Sequence, residues 1–173
     1  NLCARRHIMI KPILRYPDVR LNRVAEDITE FNDSVVEMLQ DLMDTFINVK
    51  CLGLAAPQIG YNIRAFVLST NKLGIGAVPL LMINPVILSS SEELFEYKEG
   101  CLSLPNGFEN VSRPKTIVVQ YHTKFNEKVE IELSDLASSC VQHEIDHLNG
   151  QLLIDHLSGL KRSRLLEKVR KAK

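Results

Sequence analysis

The spacing of apolar residues changes several times along the chain, and each change marks an element. In residues 29–48, Phe31, Val35, Met38, Leu39, Leu42 and Phe46 recur at intervals of three and four, the stripe of an amphipathic helix that packs on a core. Asp27 or Thr29 is placed to cap it. Residues 63–68 and 80–88 are dense, short apolar runs and read as buried strands, with 71–76 a loop between them. Pro79 and Pro85 confine the second strand to an edge or a bulge, because proline cannot donate to a ladder. Residues 92–99 are acidic with Leu94, Phe95 and Tyr97 interspersed, which fits another short strand. Residues 116–121 and 128–133 are β-rich and joined by a short polar link, so they read as a hairpin.

Ser134 and Asp135 suit the start of a helix, and Asn149-Gly150 suits a left-handed C-cap at its end. Residues 157–171 form a basic helix by pattern, with Leu160, Leu165, Leu166 and Val169 as a sparse apolar face. Residues 8–24 are an irregular lead-in punctuated by Pro12 and Pro17. No repeat, low-complexity tract or linker divides the chain, so a single domain over residues 1–173 is expected, with 1–7 a disordered or extraneous lead.

Composition narrows the class. The chain has 173 residues, enough to bury a sizeable core. Lys+Arg and Asp+Glu are both 21, so bulk charge recruits neither nucleic acid nor membrane. No apolar run reaches the ~20 residues that span a bilayer. Arg5 and Arg6 are not followed by an apolar h-region, so no secretory signal is expected. The four cysteines Cys3, Cys51, Cys101 and Cys140 are widely spaced without a C-x-x-C pair. Free thiols or metal ligands in a reducing, cytoplasmic compartment fit that spacing better than a disulfide framework, with an organelle matrix as the alternative.

The candidate chemistry centres on Gln142-His143-Glu144-Ile145-Asp146-His147, an H-E-x-x-H pattern. On a helix, His143 and His147 lie one turn apart on one face and can hold one metal ion. Glu144 can then reach a water on that metal and act as a general base. Two further stretches stand out. Cys51-Leu52-Gly53-Leu54-Ala55-Ala56-Pro57-Gln58 is rich in small residues that allow a ligand or a helix to approach the backbone. Its Gln58 is a neutral donor able to face an oxyanion, although a tightly packed turn before a strand would look the same. In Glu99-Gly100-Cys101-Leu102-Ser103-Leu104-Pro105, the isolated Cys101 reads as a buried core thiol or as a soft metal ligand.

Taken in order and at their spacing, Gly53-Leu54-Ala55-Ala56-Pro57-Gln58, Glu99 to Pro105 and Gln142 to His147 resemble the three signature motifs of the peptide deformylase family. The resemblance runs from end to end, including Ile13-Leu14-Arg15-Tyr16-Pro17 near the amino end and the basic carboxy-terminal helix. It implies an α+β fold, with a central metal-binding helix packed among antiparallel β-sheets, an N-terminal amphipathic helix and a C-terminal helix. It implies that Cys101, His143 and His147 bind one divalent metal, Fe2+ natively, with Zn2+ or Ni2+ replacing it in purified protein. Glu144 would be the general acid and base, and the Gln58 amide and Leu102 backbone N–H would face the oxyanion. Leu52, Gly53 and Cys140 would line the substrate pocket. The substrate would be the N-formyl-methionyl end of nascent polypeptides, met at the ribosome or free, and the protein a cytoplasmic monomer.

Two departures from the family pattern are visible. Cys51 stands where the family usually has glycine, and residues 135–139 are more polar than usual. Glu99 is a loosely argued partner for Arg113, and Asp146 is either a solvated helix residue or a support for the ligands.

Two rival readings follow from the same residues. A zinc endopeptidase with H-E-x-x-H would take a third ligand from downstream, where Asp155, His156 and Glu167 lie. A non-catalytic homologue would close a structural zinc site with Cys51 or Cys140 as the fourth ligand.

Overall fold

The computed structural model describes residues 7–172. Most of the expected lead, residues 1–6 with Cys3, therefore lies outside the described residues. The elements in chain order are α1 (Asp33–Val49), β1 (Gly53–Ala55), β2 (Ala65–Leu68), α2 (Thr70–Leu73), β3 (Leu80–Ser90), β4 (Leu94–Cys101), β5 (Leu104–Pro114), β6 (Thr116–His122), β7 (Lys128–Ser134), α3 (Asp135–Leu148) and α4 (Gly159–Lys171). Short 3-10 turns occupy Val19–Asn22, Ala56–Ile59 and Leu153–His156.

Two antiparallel sheets organise these elements: a five-stranded one in the order β1-β2-β3-β6-β7, and the β4-β5 pair. Strand β2 is buried along its whole length, which is why its residues read as an unbroken apolar run. Alternation then sends its side chains to opposite faces. Ala65 and Val67 meet Leu39, Leu42 and Phe46 of α1. Phe66 and Leu68 meet Val141, Ile145 and Leu148 of α3. Helix α3 also touches β4 and β5, so it lies between the two sheets. A third cluster joins Leu165 and Val169 of α4 to Leu104 and Val111 of β5 and to Leu14 and Leu21 of the lead-in. This is the expected α+β class.

Several boundaries moved for identifiable reasons. Helix α1 is capped by Asn32, whose side chain accepts from the Val35 N–H at 3.0 Å, and not by Asp27 or Thr29. The chain just before it is tied elsewhere: the Asn84 amide bonds both the N–H and the C=O of Ile28, at 2.9 and 2.8 Å. Of the two outcomes open to the proline-flanked strand, the bulge holds. Strand β3 is internal, and its register with β6 shifts between Ile83 and Val86 and again between Ile87 and Ser89, with Asn84 at φ 47°. The 71–76 loop opens with the short helix α2. Strand β5 was not expected; it opens through Pro105, Asn106 and Gly107, residue types that favour turns. Ser134 stands at the N-cap of α3, but its hydroxyl pairs with Thr116 Oγ1 instead of capping. Gly150, at φ 71°, takes the left-handed position after α3 that its sequence promised. On α4, Leu165 and Val169 are buried whereas Leu160 is exposed.

Candidate active site

The middle of α3, the end of β4 and the 3-10 turn after β1 converge on one cleft of about 480 Å³. The i, i+4 spacing on α3 puts the His143 and His147 rings 5.0 Å apart, centroid to centroid, with their planes at 74°. Cys101 closes the group: its Sγ lies 3.3 Å from His147 Nε2, and one ligand atom from each of the three lies within 4.8 Å of the others. His143 Nδ1 is bound to Glu99 Oε2 at 2.8 Å. A carboxylate only accepts, so that nitrogen is the donor, and His143 keeps Nε2 for the site.

Electrostatics prepare the group for a cation. Burial works to raise the Cys101 pKa, yet the His147 and His143 imidazoles outweigh it and hold the thiol well below its usual range. Thiolate and imidazole together suit a borderline-soft divalent metal. Glu144 is 3% exposed, and its Oε2 is buried without a hydrogen-bond partner among the described residues. Burial is the main cause that lifts its pKa to about 7 in the metal-free chain. An orphaned carboxylate oxygen beside a Cys/His/His cluster is what a bound cation with its water would complete, so the donors present fit the metal.

Glu144 has room only because residue 53 is glycine. A Cβ on Gly53 would lie 2.3 Å from Glu144 Oε1. The close approach read from the small-residue stretch is thus made by the helix-borne carboxylate. Gln58 is 2% exposed and fixed at both ends. Its Oε1 accepts from the Ala55 N–H at 2.9 Å, so its Nε2 faces Ser103 Oγ at 3.2 Å and Cys101 Sγ at 3.6 Å. Leu102 sits in the tight turn between β4 and β5 and lines the cleft, as do Leu52, Gly53 and Cys140. Every residue expected at the site is therefore brought together.

The support behind the ligands was less legible. Arg113 donates to Glu99 through Nε at 2.5 Å and Nη2 at 3.0 Å, and to Asp146 Oδ2 through Nη1 at 2.8 Å. Asp146 also meets His156 Nε2 at 2.7 Å, which makes it a support and not a solvated residue. Burial opposes ionisation of Glu99, but the His143 and Arg113 hydrogen bonds bring its pKa down to about 2. The unusually polar start of α3 is absorbed the same way. Ser139 Oγ donates to Glu99 Oε1 at 3.0 Å, and Ser138 Oγ donates to the Pro114 carbonyl at 2.9 Å. Ser139, Tyr97, Phe108 and Leu136 join the cleft or its support without a motif that announces them, and Ser103 lies inside the Glu99 to Pro105 stretch but was not singled out.

The rival ligand sets do not assemble. Asp155 accepts from the Leu152 N–H and from Arg162, and His156 is turned to Asp146. Cys51 and Cys140 are free thiols lining the cleft, outside the three-residue cluster. Cys101 is also free of any disulfide.

A buried carboxylate with one oxygen left without a partner among the described residues, next to a soft three-donor cluster on the wall of a largely apolar cleft, suits a metallohydrolase. Comparison with known proteins narrows this. A family profile described as Polypeptide deformylase matches residues 10–163. Peptide deformylase of Bartonella henselae is 40% identical over 162 residues, covering 94% of this chain and 92% of that protein. The Methylocella silvestris enzyme is 42% identical over 166 residues, covering 94% and 85%. Among solved structures, peptide deformylase from Legionella pneumophila superposes with a TM-score of 0.87 at 37% identity, covering 94% and 95%. The Ehrlichia chaffeensis enzyme, in complex with actinonin, gives 0.87 at 35%, covering 95% and 98%. The chain belongs to the polypeptide deformylase family.

Proposed function

We propose that the protein hydrolyses the formyl group from the N-terminal formyl-methionine of new polypeptides, releasing formate and a free amine. The observation that carries the reading is the partnerless Glu144 Oε2 beside Cys101, His143 and His147 in a cleft that also holds the Gln58 amide. Cys101, His143 and His147 would hold one divalent ion, with Fe2+ the reading for the native metal and Zn2+ or Ni2+ as substitutes. Such an ion supplies Lewis-acid polarisation of the formyl carbonyl and stabilises charge on oxygen.

The chain's own groups supply the rest. Glu144 Oε2 takes a proton as water adds to the formyl carbon, and the same carboxyl gives it to the nitrogen as the C–N bond breaks. Gln58 Nε2 and the Leu102 backbone N–H donate to the oxyanion of the tetrahedral state. Gln58 is suited to this because the Ala55 N–H holds its oxygen and so fixes Nε2 as the end that faces the site; the N–H on Cys101 Sγ is the one that would turn to the oxyanion. Leu52 and Cys140 give the methionine side chain an apolar wall. The setting in this reading is the cytoplasm, with a monomer acting on nascent chains at or near the ribosome.

The test is anaerobic kinetics of the ferrous enzyme on formyl-Met-Ala, acetyl-Met-Ala and casein. Formate release from the first, with kcat/KM at least ~10²-fold lower on the acetyl peptide because its methyl misplaces the carbonyl, is expected. Glu144→Ala should retain its metal by elemental analysis and lose ~10²–10⁴-fold in kcat. Internal cleavage of casein, or an active Glu144→Ala enzyme, would sink the reading.

A further inference from the structure

His143 is the inner end of a continuous chain of hydrogen-bonded polar groups. Its Nδ1 donates to Glu99 Oε2; Glu99 takes Nε and Nη2 of Arg113; Arg113 Nη1 donates to Asp146 Oδ2; Asp146 Oδ2 also takes His156 Nε2. The inner members are buried, Glu99 and Arg113 at 4% exposure each. The outer member is not: the His156 side chain is 32% exposed, at the end of the Leu153–His156 turn. The chain thus runs from the metal cluster to solvent.

Two features make it responsive. One guanidinium serves two carboxylates, so Glu99 and Asp146 compete for Arg113. Arg113 and His156 in turn meet on a single oxygen of Asp146, so each weakens the other's hold. We propose that His156 is a positioning residue that tunes the donor strength of His143 through Asp146, Arg113 and Glu99. The proposal rests on Cys101, His143 and His147 being the metal ligands. When His156 donates to Asp146, that carboxylate draws less on Arg113, Arg113 neutralises Glu99 more fully, and Glu99 pulls less on the His143 Nδ1 proton. A carboxylate behind a ligating histidine raises the ligand's basicity, so the outer histidine turns metal affinity down.

The signs differ along the chain, and that gives the test. Removing the donor with His156→Leu, or with the smaller His156→Ala, leaves Asp146 to compete harder for Arg113. Asp146→Asn instead leaves Arg113 wholly to Glu99. The zinc-loaded protein, labelled with 15N-histidine, is read by the shift of the His143 Nδ1 proton and by zinc affinity in competition with a chelator. His156→Leu should move the proton downfield and tighten zinc by several-fold, less than the ~10–100-fold that direct partners of metal ligands command. Asp146→Asn should move the proton upfield and weaken zinc. His156→Gln, which keeps a donor, should stay near wild type.

A merely structural role would shift both variants the same way, toward weaker binding. Equal directions in His156→Leu and Asp146→Asn, or no movement in either His156→Leu or His156→Ala, overturn the proposal. Failure of the unmodified protein to bind zinc stoichiometrically would instead reject the ligand set, and the relay with it.

Discussion

Helices α1 and α3 lie on opposite faces of the same sheet and are held there by different physics. On α1 the inward face is led by Leu39, Leu42 and Phe46, sorted by water, and the two polar residues it buries, Asp41 and Thr45, bond to Tyr61 and to the Asp41 carbonyl and line no part of the cleft. On α3 the buried set includes Ser138, Ser139, Gln142, Glu144 and His147. Those positions stay inside because partners meet most of them: Pro114 for Ser138 and Gln142, Glu99 for Ser139. The difference separates stability from chemistry. An error on the apolar face of α1 makes a cavity; an error among the buried polar residues of α3 leaves a group unpaired or shifts one that lines the cleft.

The comparison breaks most visibly at Gly53. A methyl there collides with the Glu144 carboxylate, so Gly53→Ala should displace that carboxylate by about 1 Å and, if it is the base proposed above, cost ~10²-fold in kcat/KM, with metal content unchanged. Full activity in that variant would mean that Glu144 is not held where its chemistry needs it. On α1, Leu42→Ala should behave oppositely. Leu42 is fully buried, so truncation should cost ~2–5 kcal/mol in denaturant unfolding, while kcat/KM per folded molecule stays at the wild-type value.

The smallest effect sharpens the contrast at the edge of the cleft. Burial, with the Glu144 charge adding to it, pushes the Cys51 thiol up to about 12. At pH 8 it should be alkylated by iodoacetamide roughly 10³-fold more slowly than an ordinary thiol with pKa ~8.5, and faster as pH rises toward 12. Peptide mapping by mass reads this, and rapid labelling at pH 8 would place Cys51 in contact with water instead.

The contrast also explains what could be read beforehand. Period and burial coincide on α1, β2 and the β6-β7 hairpin, so the pattern alone located them. The cluster was legible because His143, Glu144 and His147 are local on a helix, and because Cys101 and Gln58 sit in recognisable stretches. Strand β5 was hidden by Pro105, Asn106 and Gly107, whose turn-forming tendencies were overridden by pairing with β4. Gly53 was read as a place of close approach, but the approaching group lies 91 positions away on α3 and no local pattern names it. Arg113 was reached only by loose analogy as a partner for Glu99, and His156 was invisible as a support, since a long-range ion pair leaves no periodic trace.

The β4-β5 pairing has a consequence for the order in which the site is built. Glu99 and Arg113 lie on the two arms of one hairpin, 14 residues apart, and so can find each other through local contacts. Loop closure over so short a span is fast, and both arms emerge from the ribosome ahead of α3. The carboxylate that bonds His143 can therefore be paired with Arg113 before α3 packs against it. Helix α3 then meets a hairpin whose ion pair is already made.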